Sequence, residues 1–525
     1  MTRNPWGWGH LEQAADLDET AARVEPFFGP RRREVAAPAR VPAPRVEVPA
    51  AIAPFTRADD ATRAAHAMGK SYPDRVRGFR GDFSSAPDLV AFPADEAELV
   101  RALEAAEAAG LAVVPFGGGS SVVGGVEPRL GPGHRGALTV DLARLGRVRE
   151  LDDISRVARI EAGVFGPELE RQLGASGFTL RHYPQSFEFS TLGGWIATRA
   201  GGHFATVLTH IDELVESVRL VTPRGVLETR RFPASGAGPD PNRLVIGSEG
   251  TLGLITEAWM RVRPRPVFRA GASVHFDDFT RAVEATRAVA QSGLSPANCR
   301  LLDAAEAMVN GVTFDGASVL VLGFESAEVP QGPSLEAALR LCTVLDGTVP
   351  KGPSVRDDRE AGRAADAAET WRASFLKGPY LQDAMIQLGV LADTFETACT
   401  WKAFPALYEA VTTAVREALE RHCGGGLVSC RFTHVYPDGP APYFTFLGPV
   451  REGAELETWA EVKRVASDTL AAHGGTITHH HAVGRVHRPW YEREVPALFT
   501  SALRAAKREL DPAGLLNPGV LLPER

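Results

Sequence analysis

Between residues 86 and 266 short apolar runs alternate with helix-spaced segments. Asp88-Leu89-Val90-Ala91-Phe92-Pro93 reads as a short strand. From Asp95 to Gly110, apolar Leu99, Ala102, Leu103 and Ala106 recur at helical spacing behind an acidic first turn, and Gly110 stops the pattern. Leu111-Ala112-Val113-Val114-Pro115-Phe116 is apolar throughout and too short for a helix, hence a buried strand. Residues 137–142, 157–162 and 254–262 read as further strands, 166–176 as a helix, and 214–222 with 225–229 as a hairpin around Pro223-Arg224. Arg263-Pro264-Arg265-Pro266 closes the region. Beyond it, strands at 270–276, 318–324 and 443–447 mix with helical patterns over 277–292, 334–346, 404–422 and 453–473, and a last helix covers 495–510. The pattern predicts an α+β protein with domains at 86–266 and 267–480 and a C-terminal segment, 481–525.

Ahead of these, residues 1–85 form an arm and a helical segment, the helix expected over 56–80. The arm is polar, with Arg31-Arg32-Arg33 and prolines 38, 42, 44 and 49 spacing an extended stretch. It reads as a solvated arm of the kind that wraps a partner subunit. Trp6-Gly7-Trp8-Gly9 is the exception, because paired tryptophans in a terminus dock on something.

Composition narrows the function. The chain has 525 residues, 44% hydrophobic and 23% charged, which excludes global disorder and allows two to four domains. A net charge of −8 offers no basic excess for nucleic acid. Five cysteines, an odd number, argue against a disulfide framework and for a reducing compartment. No signal peptide is visible, and no apolar run approaches the ~20 residues that span a bilayer. A cytoplasmic protein is expected, with peripheral membrane contact compatible.

Three glycine-rich loops carry the chemistry. The first is Pro115-Phe116-Gly117-Gly118-Gly119-Ser120-Ser121, continuing to Gly124. The second spans Gln185, Ser186, Ser190, Thr191 and Gly194, continuing to Thr198 and Arg199. The third holds Glu249, Gly250 and Thr251, and leads to Ile255. Glycine lacks a Cβ and tolerates positive φ, so successive N–H groups can converge on an anion, and the hydroxyls add donors. No Gly-Lys-Ser/Thr of a Walker loop occurs in them, and none is a dinucleotide fingerprint in its usual strand–turn–helix setting. Three such loops within 140 residues point to a phosphate-bearing cofactor.

In these loops the chain resembles the flavin-binding domain of the vanillyl-alcohol-oxidase flavoproteins. Within that group, the run from Pro184 to Ala200 resembles the alkyldihydroxyacetonephosphate synthases. So do Gly238-Pro239-Asp240-Pro241, Arg300-Leu301-Leu302-Asp303, Phe395-Glu396-Thr397-Ala398, Tyr443-Phe444, Thr478-His479-His480-His481-Ala482-Val483-Gly484 and the N-terminal Trp-Gly-Trp-Gly. The chain departs from that branch around the flavin edge, with Gln185 for the usual Asp, and at Gly201-Gly202-His203-Phe204 and Leu208-Thr209-His210. The resemblance implies non-covalent FAD held by the three loops, a cap domain over 267–480, a C-terminal segment returning to the FAD domain, and a homodimer. It also implies a lipid substrate: the acyl group of acyl-dihydroxyacetone phosphate is replaced by a long-chain alcohol, with no net redox change. The alternative is an FAD-linked oxidase or dehydrogenase of a 2-hydroxy acid or alcohol, built on the same flavin domain.

Candidate catalytic residues follow. On a strand, His479 and His481 would share one face and His480 the other. A metal site would need ligands from elsewhere, and no matching spacing is near, so no metal is expected. Structural and active-site roles stay open from the residues alone, and the resemblance favours proton transfer. Arg300 reads either as a surface ion-pair partner, of Asp303 for example, or, by the resemblance, as an active-site arginine whose planar fork suits a carboxylate or phosphate. Tyr443 reads as a core aromatic, or by resemblance as a proton-transfer residue facing the flavin. As a base it would need a cationic neighbour such as Arg300. Cys423 and Cys430 read as buried thiols.

Overall fold

The computed structural model describes residues 4–29, 31–36, 41–359 and 378–523; Pro38 of the expected arm lies outside them. Up to residue 266 the described residues form two larger sheets and a small antiparallel pair, Phe178–Thr179 with Arg263–Pro264. In the first, Leu89–Ala91, Gly136–Asp141 and Leu111–Phe116 pair in parallel, and Thr56–Arg57 adds an antiparallel edge. The helix Glu96–Ala109 connects two of these strands, capped by Asp95 and ended by Gly110 in the left-handed region. The second sheet is antiparallel, ordered Val148–Asp152, Val157–Glu161, Leu254–Arg261, Val215–Thr222, Gly225–Glu228.

The remaining domain is one seven-stranded antiparallel sheet. Its order is Ser354–Asp357, Phe268–Phe276, Ser318–Ser326, Asn298–Leu302, Leu427–Val435, Pro440–Pro449, Val390–Glu396. Burial alternates residue by residue along Phe268–Phe276, as a period of two requires for a half-buried strand. Helices Phe279–Gln291, Gly332–Thr343, Phe404–Cys423 and Glu455–Ala472 bring their apolar faces to this domain's core.

Most described residues of the N-terminal arm are exposed, but its tryptophans dock. Trp6 and Trp8 are buried at 6% and 5% exposure, Trp6 lies edge-on to Phe79 with ring centroids 5.3 Å apart, and the Trp8 N–H donates to Asp383 Oδ2 (2.6 Å). The helix Leu17–Phe28 buries Val24 against Leu388 and Val390. The arm therefore docks on its own chain, because two indoles bury more apolar area than the surrounding polar residues can hold in water. Residues 56–80 are not one helix. They form Thr56–Arg57 and two short helices, Asp60–Ala65 and Tyr72–Phe79, the second started by a Ser71 cap. At the other end, the Val113 N–H donates to Leu515 O (2.8 Å) and its carbonyl accepts from Asn517 N–H (2.8 Å), so the C-terminal segment lies along the edge of the parallel sheet.

Candidate active site

The strand Leu111–Phe116 delivers Gly117, Gly118 and Gly119 directly onto the second loop. A Cβ on Gly118 would strike the Phe189 carbonyl oxygen, and Thr191 caps the helix Leu192–Thr198 beneath it. The third loop closes from the other side: a Cβ on Gly250, at φ +72°, would stand 2.6 Å from Pro115 Cγ. Glycine is thus required for the loops to pack on one another.

The packed loops form one wall of a cleft. Gly117, Gly118, Gly119, Ser120 and Ser121 line it, as do Gln185, Ser186, Ser190, Thr191, Gly194 and Thr198. The facing wall brings Arg300, Tyr443, His480 and His481. Lys70, Arg75 and Lys463 also reach it, while Asp393 is the only carboxylate residue among its described lining residues. A glycine-rich backbone, six hydroxyls on the loops and four buried cations, of which Arg75 ion-pairs with Asp383 (3.2 Å), make a donor set that fits a dinucleotide diphosphate.

Other expected cofactor residues sit elsewhere. Arg199 and Glu249 line a second, more apolar hollow together with His479, Ala482 and Phe499. Arg199 ion-pairs with Asp212 (3.2 Å). The Glu249 carboxylate accepts the Val483 and Gly484 N–H groups (2.9 and 2.8 Å), clamping the third loop to the C-terminal segment. Burial raises its pKa to about 7. Gly124 offers its carbonyl to Arg485 (2.7 Å). Thr251 is fully buried with its hydroxyl on Ser248 O (2.7 Å), and Ile255 packs in the core, so both support the site from beneath and neither lines the cleft.

Arg300, on the strand Asn298–Leu302, is 4% exposed and donates from Nη2 to His203 O (3.0 Å). The surface-pair reading fails, because Asp303 instead caps the following helix and accepts Cys430 N–H (2.8 Å) and the Tyr408 hydroxyl (3.1 Å). Burial, then Arg431, lowers the Arg300 pKa to about 9, which leaves it charged at neutral pH. Tyr443 donates its hydroxyl to Thr394 Oγ1 (2.9 Å). Its cationic neighbour is Arg431, whose guanidinium lies 3.9 Å from the ring centroid, where Arg300 was expected. Arg431 in turn ion-pairs with the buried Glu306.

The histidine triplet is not a strand. Residues 478–481 wrap a single buried carboxylate, Glu396. It accepts from Thr478 Oγ1 (2.6 Å) and from the N–H groups of His479 (2.6 Å), His480 (3.1 Å) and His481 (2.9 Å). Alternation is lost, because consecutive N–H groups converge where a strand would point them apart. His480 and His481 face the cleft on the Tyr443 side, with ring centroids 6.0 and 5.5 Å from it. His479 turns away to Tyr436 (2.7 Å). Burial holds all three imidazoles below their ordinary pKa. For Glu396, burial opposes ionisation, but the adjacent imidazoles and the Thr478 hydroxyl hold its pKa well below the usual value.

The ligand from elsewhere that the local sequence lacked is His434: one ring nitrogen each of His434, His479 and His480 fall within 4.8 Å of one another. These rings are engaged with protein: His434 Nε2 with Gly202 O (3.0 Å), His479 Nδ1 with His480 Nδ1 (3.1 Å). Cys430 is buried and Cys423 partly so, both as free thiols. Sequence reasoning passed over Lys70, Arg75, Glu396, Arg431, His434 and Lys463. Only Glu396 carried a signal, inside the Phe395–Ala398 motif.

Two family models match the chain: an FAD binding domain over residues 87–230 and the C-terminal domain of FAD linked oxidases over 265–521. An alkyldihydroxyacetonephosphate synthase of Trypanosoma brucei brucei is 31% identical over 480 residues, covering 89% of this chain and 78% of the relative. The synthase of Dictyostelium discoideum is 30% identical over 492 residues, with the same coverages. A mitochondrial D-lactate dehydrogenase (cytochrome) of Arabidopsis thaliana is 26% identical, covering 83% of this chain and 74% of its own. Among solved structures, an alkyldihydroxyacetonephosphate synthase superposes with a TM-score of 0.82 at 24% identity, covering 98% of this chain and 97% of that one. A 4-ethylphenol oxidase from Gulosibacter chungangensis gives 0.68 at 15% identity, covering 98% of each chain.

Proposed function

The chain belongs to the alkyldihydroxyacetonephosphate synthase family of FAD-dependent flavoproteins, and on that premise we propose that it exchanges the acyl group of acyl-dihydroxyacetone phosphate for a long-chain alcohol. The bond broken joins the carbon next to the ketone to the acyl oxygen, and the bond formed joins that carbon to the alcohol oxygen. A fatty acid leaves, and no electrons are gained or lost overall. FAD, when bound, supplies an electron sink for the carbon that gives up its proton.

The observation that carries the reading is the convergence on one cleft of the glycine-rich loops with Arg300, Tyr443, His480 and His481. Arg300 offers a buried, charged fork to an anionic group of the substrate. Tyr443 presents a phenol, bonded to Thr394, for proton transfer at the reacting carbon. His480 and His481, fixed by Glu396, stand beside it to receive or donate the proton that accompanies carboxylate departure. A long-chain substrate resides in a bilayer, so the same reading places the enzyme in the cytoplasm at a membrane surface, as a homodimer. Among the described residues no helix is long and apolar enough to cross a membrane.

The test is anaerobic turnover. Acyl-dihydroxyacetone phosphate and a labelled fatty alcohol should give ether product and fatty acid in equal amounts, with the flavin absorbance returning to its oxidised form and no acceptor added. Lasting bleaching by a 2-hydroxy acid or an alcohol, without ether formation, would replace the reading by that of an FAD-linked dehydrogenase.

A further inference from the structure

Lys463 stands on the helix Glu455–Ala472, which the sequence marks only as an amphipathic packing element. Its side chain is 7% exposed at the residue level and lines the cleft. An ammonium has three N–H donors and no acceptor. One donates to Thr394 O at 2.7 Å. The nearest carboxylate oxygen, Asp393 Oδ2, lies 4.0 Å away, beyond hydrogen-bond reach, and already accepts the Trp459 indole N–H at 2.6 Å. The Phe395 ring, 5.9 Å off, offers a π face and no lone pair. Two donors of a buried ammonium are therefore left without an acceptor among the described residues. Burying a charged donor unfilled is costly, and an anion in the cleft would relieve it.

The location is specific. Thr394 holds Lys463 through its carbonyl and the Tyr443 hydroxyl through its own hydroxyl, so the ammonium and the phenol are anchored on one residue. His481 lines the same cleft with its ring 5.5 Å from that of Tyr443. We propose that the Lys463 ammonium is an oxyanion subsite at the Tyr443 end of the cleft, one that takes an anionic oxygen of the substrate. Oxyanion binding itself needs only the geometry above. Its source, the phosphate head or the departing carboxylate, rests on the transferase reading.

The experiment is calorimetric titration of the resting, FAD-loaded enzyme with inorganic phosphate and, separately, with acetate. Wild type should bind at least one of them. Lys463→Gln keeps a donor for Thr394 O but loses the charge, and should weaken that binding at least about tenfold with FAD content unchanged. Lys463→Arg should retain it within about threefold. Phosphate as the Lys463-dependent ligand assigns the subsite to the phosphate head, and acetate assigns it to the carboxylate. Binding by neither anion, or equal binding by wild type and Lys463→Gln, overturns the proposal. If Lys463→Gln fails to load FAD, a yellow Lys463→Arg that no longer binds does the same. Because no turnover is involved, absence of ether synthesis would sink the proposed function and leave this subsite standing, and the reverse holds equally.

Discussion

Arg431 and Tyr443 are directly opposed across two antiparallel strands, and the guanidinium lies over the ring, 3.9 Å from its centroid. A cation over the ring favours the phenolate, yet burial outweighs it and leaves the Tyr443 pKa above its ordinary value. The phenol therefore keeps its proton at neutral pH, and Arg431 partly offsets the effect of burial.

Removing only that hydroxyl separates packing from proton transfer. Tyr443→Phe should retain FAD and fold, and should slow exchange of the hydrogen on the reacting substrate carbon with solvent by about 10²-fold or more. Deuterium washout followed by mass spectrometry reads this directly. Washout at the wild-type rate would remove Tyr443 from the mechanism.

Arg300→Lys keeps the charge and loses the planar fork. Activity should fall at least about tenfold, roughly 1.4 kcal/mol of barrier, with a near-normal flavin spectrum. Steady-state kinetics should show whether the loss lies in KM or in kcat. Unchanged kinetics would return the buried guanidinium to a structural role, of which its bond to the His203 carbonyl is part.

The converging loop at Glu396 sorts the triplet differently from a strand. His480→Ala and His481→Ala should lose activity while keeping FAD, since both rings face the cleft. His479→Ala breaks the contacts to Tyr436 and His480 and should chiefly lower the melting temperature. Paired loss in His479→Ala and His481→Ala, with His480→Ala spared, would restore the strand-like parity.

Glu249 gives a pH dependence with a definite sign. Its pKa is about 7 in the folded chain against an ordinary 4.5, mainly through burial. An acid raised on folding stabilises below the unfolded value, and that contribution is lost as pH rises through the folded one. Stability should thus fall between about pH 4.5 and 7 by on the order of 3 kcal/mol from this group. Glu249→Gln will be less stable overall, because one N–H of Val483 or Gly484 loses its acceptor, but it should lack that slope. Parallel stability curves for the two proteins across this range would exclude Glu249 as its source.

Much of this was legible in local pattern. Helix Glu96–Ala109 follows from its spacing, its Asp95 cap and its Gly110 stop, and the strand Leu111–Phe116 from an unbroken apolar run. The glycine loops announced a phosphate-bearing cofactor because the need to omit a Cβ is written in residue type. The tryptophans of the arm announce docking by residue type, but the surface they meet, at Phe79 and Asp383, is a property of the packed chain.

What the sequence by itself determined, then, is many of the elements, the cofactor loops and the motifs bearing Arg300, Tyr443 and the histidines. Only the tertiary structure decided which charges serve them. Arg431 stands over Tyr443 through strand register, a pairing between residues 12 apart that no local spacing signals. Glu396 gathers three consecutive N–H groups because its strand ends under a loop 83 to 85 residues further along the chain. Lys463 reads as any polar residue on an amphipathic helix until the sheet beneath it closes off water. Its role, like theirs, depends on desolvation, and desolvation is settled only when distant segments pack.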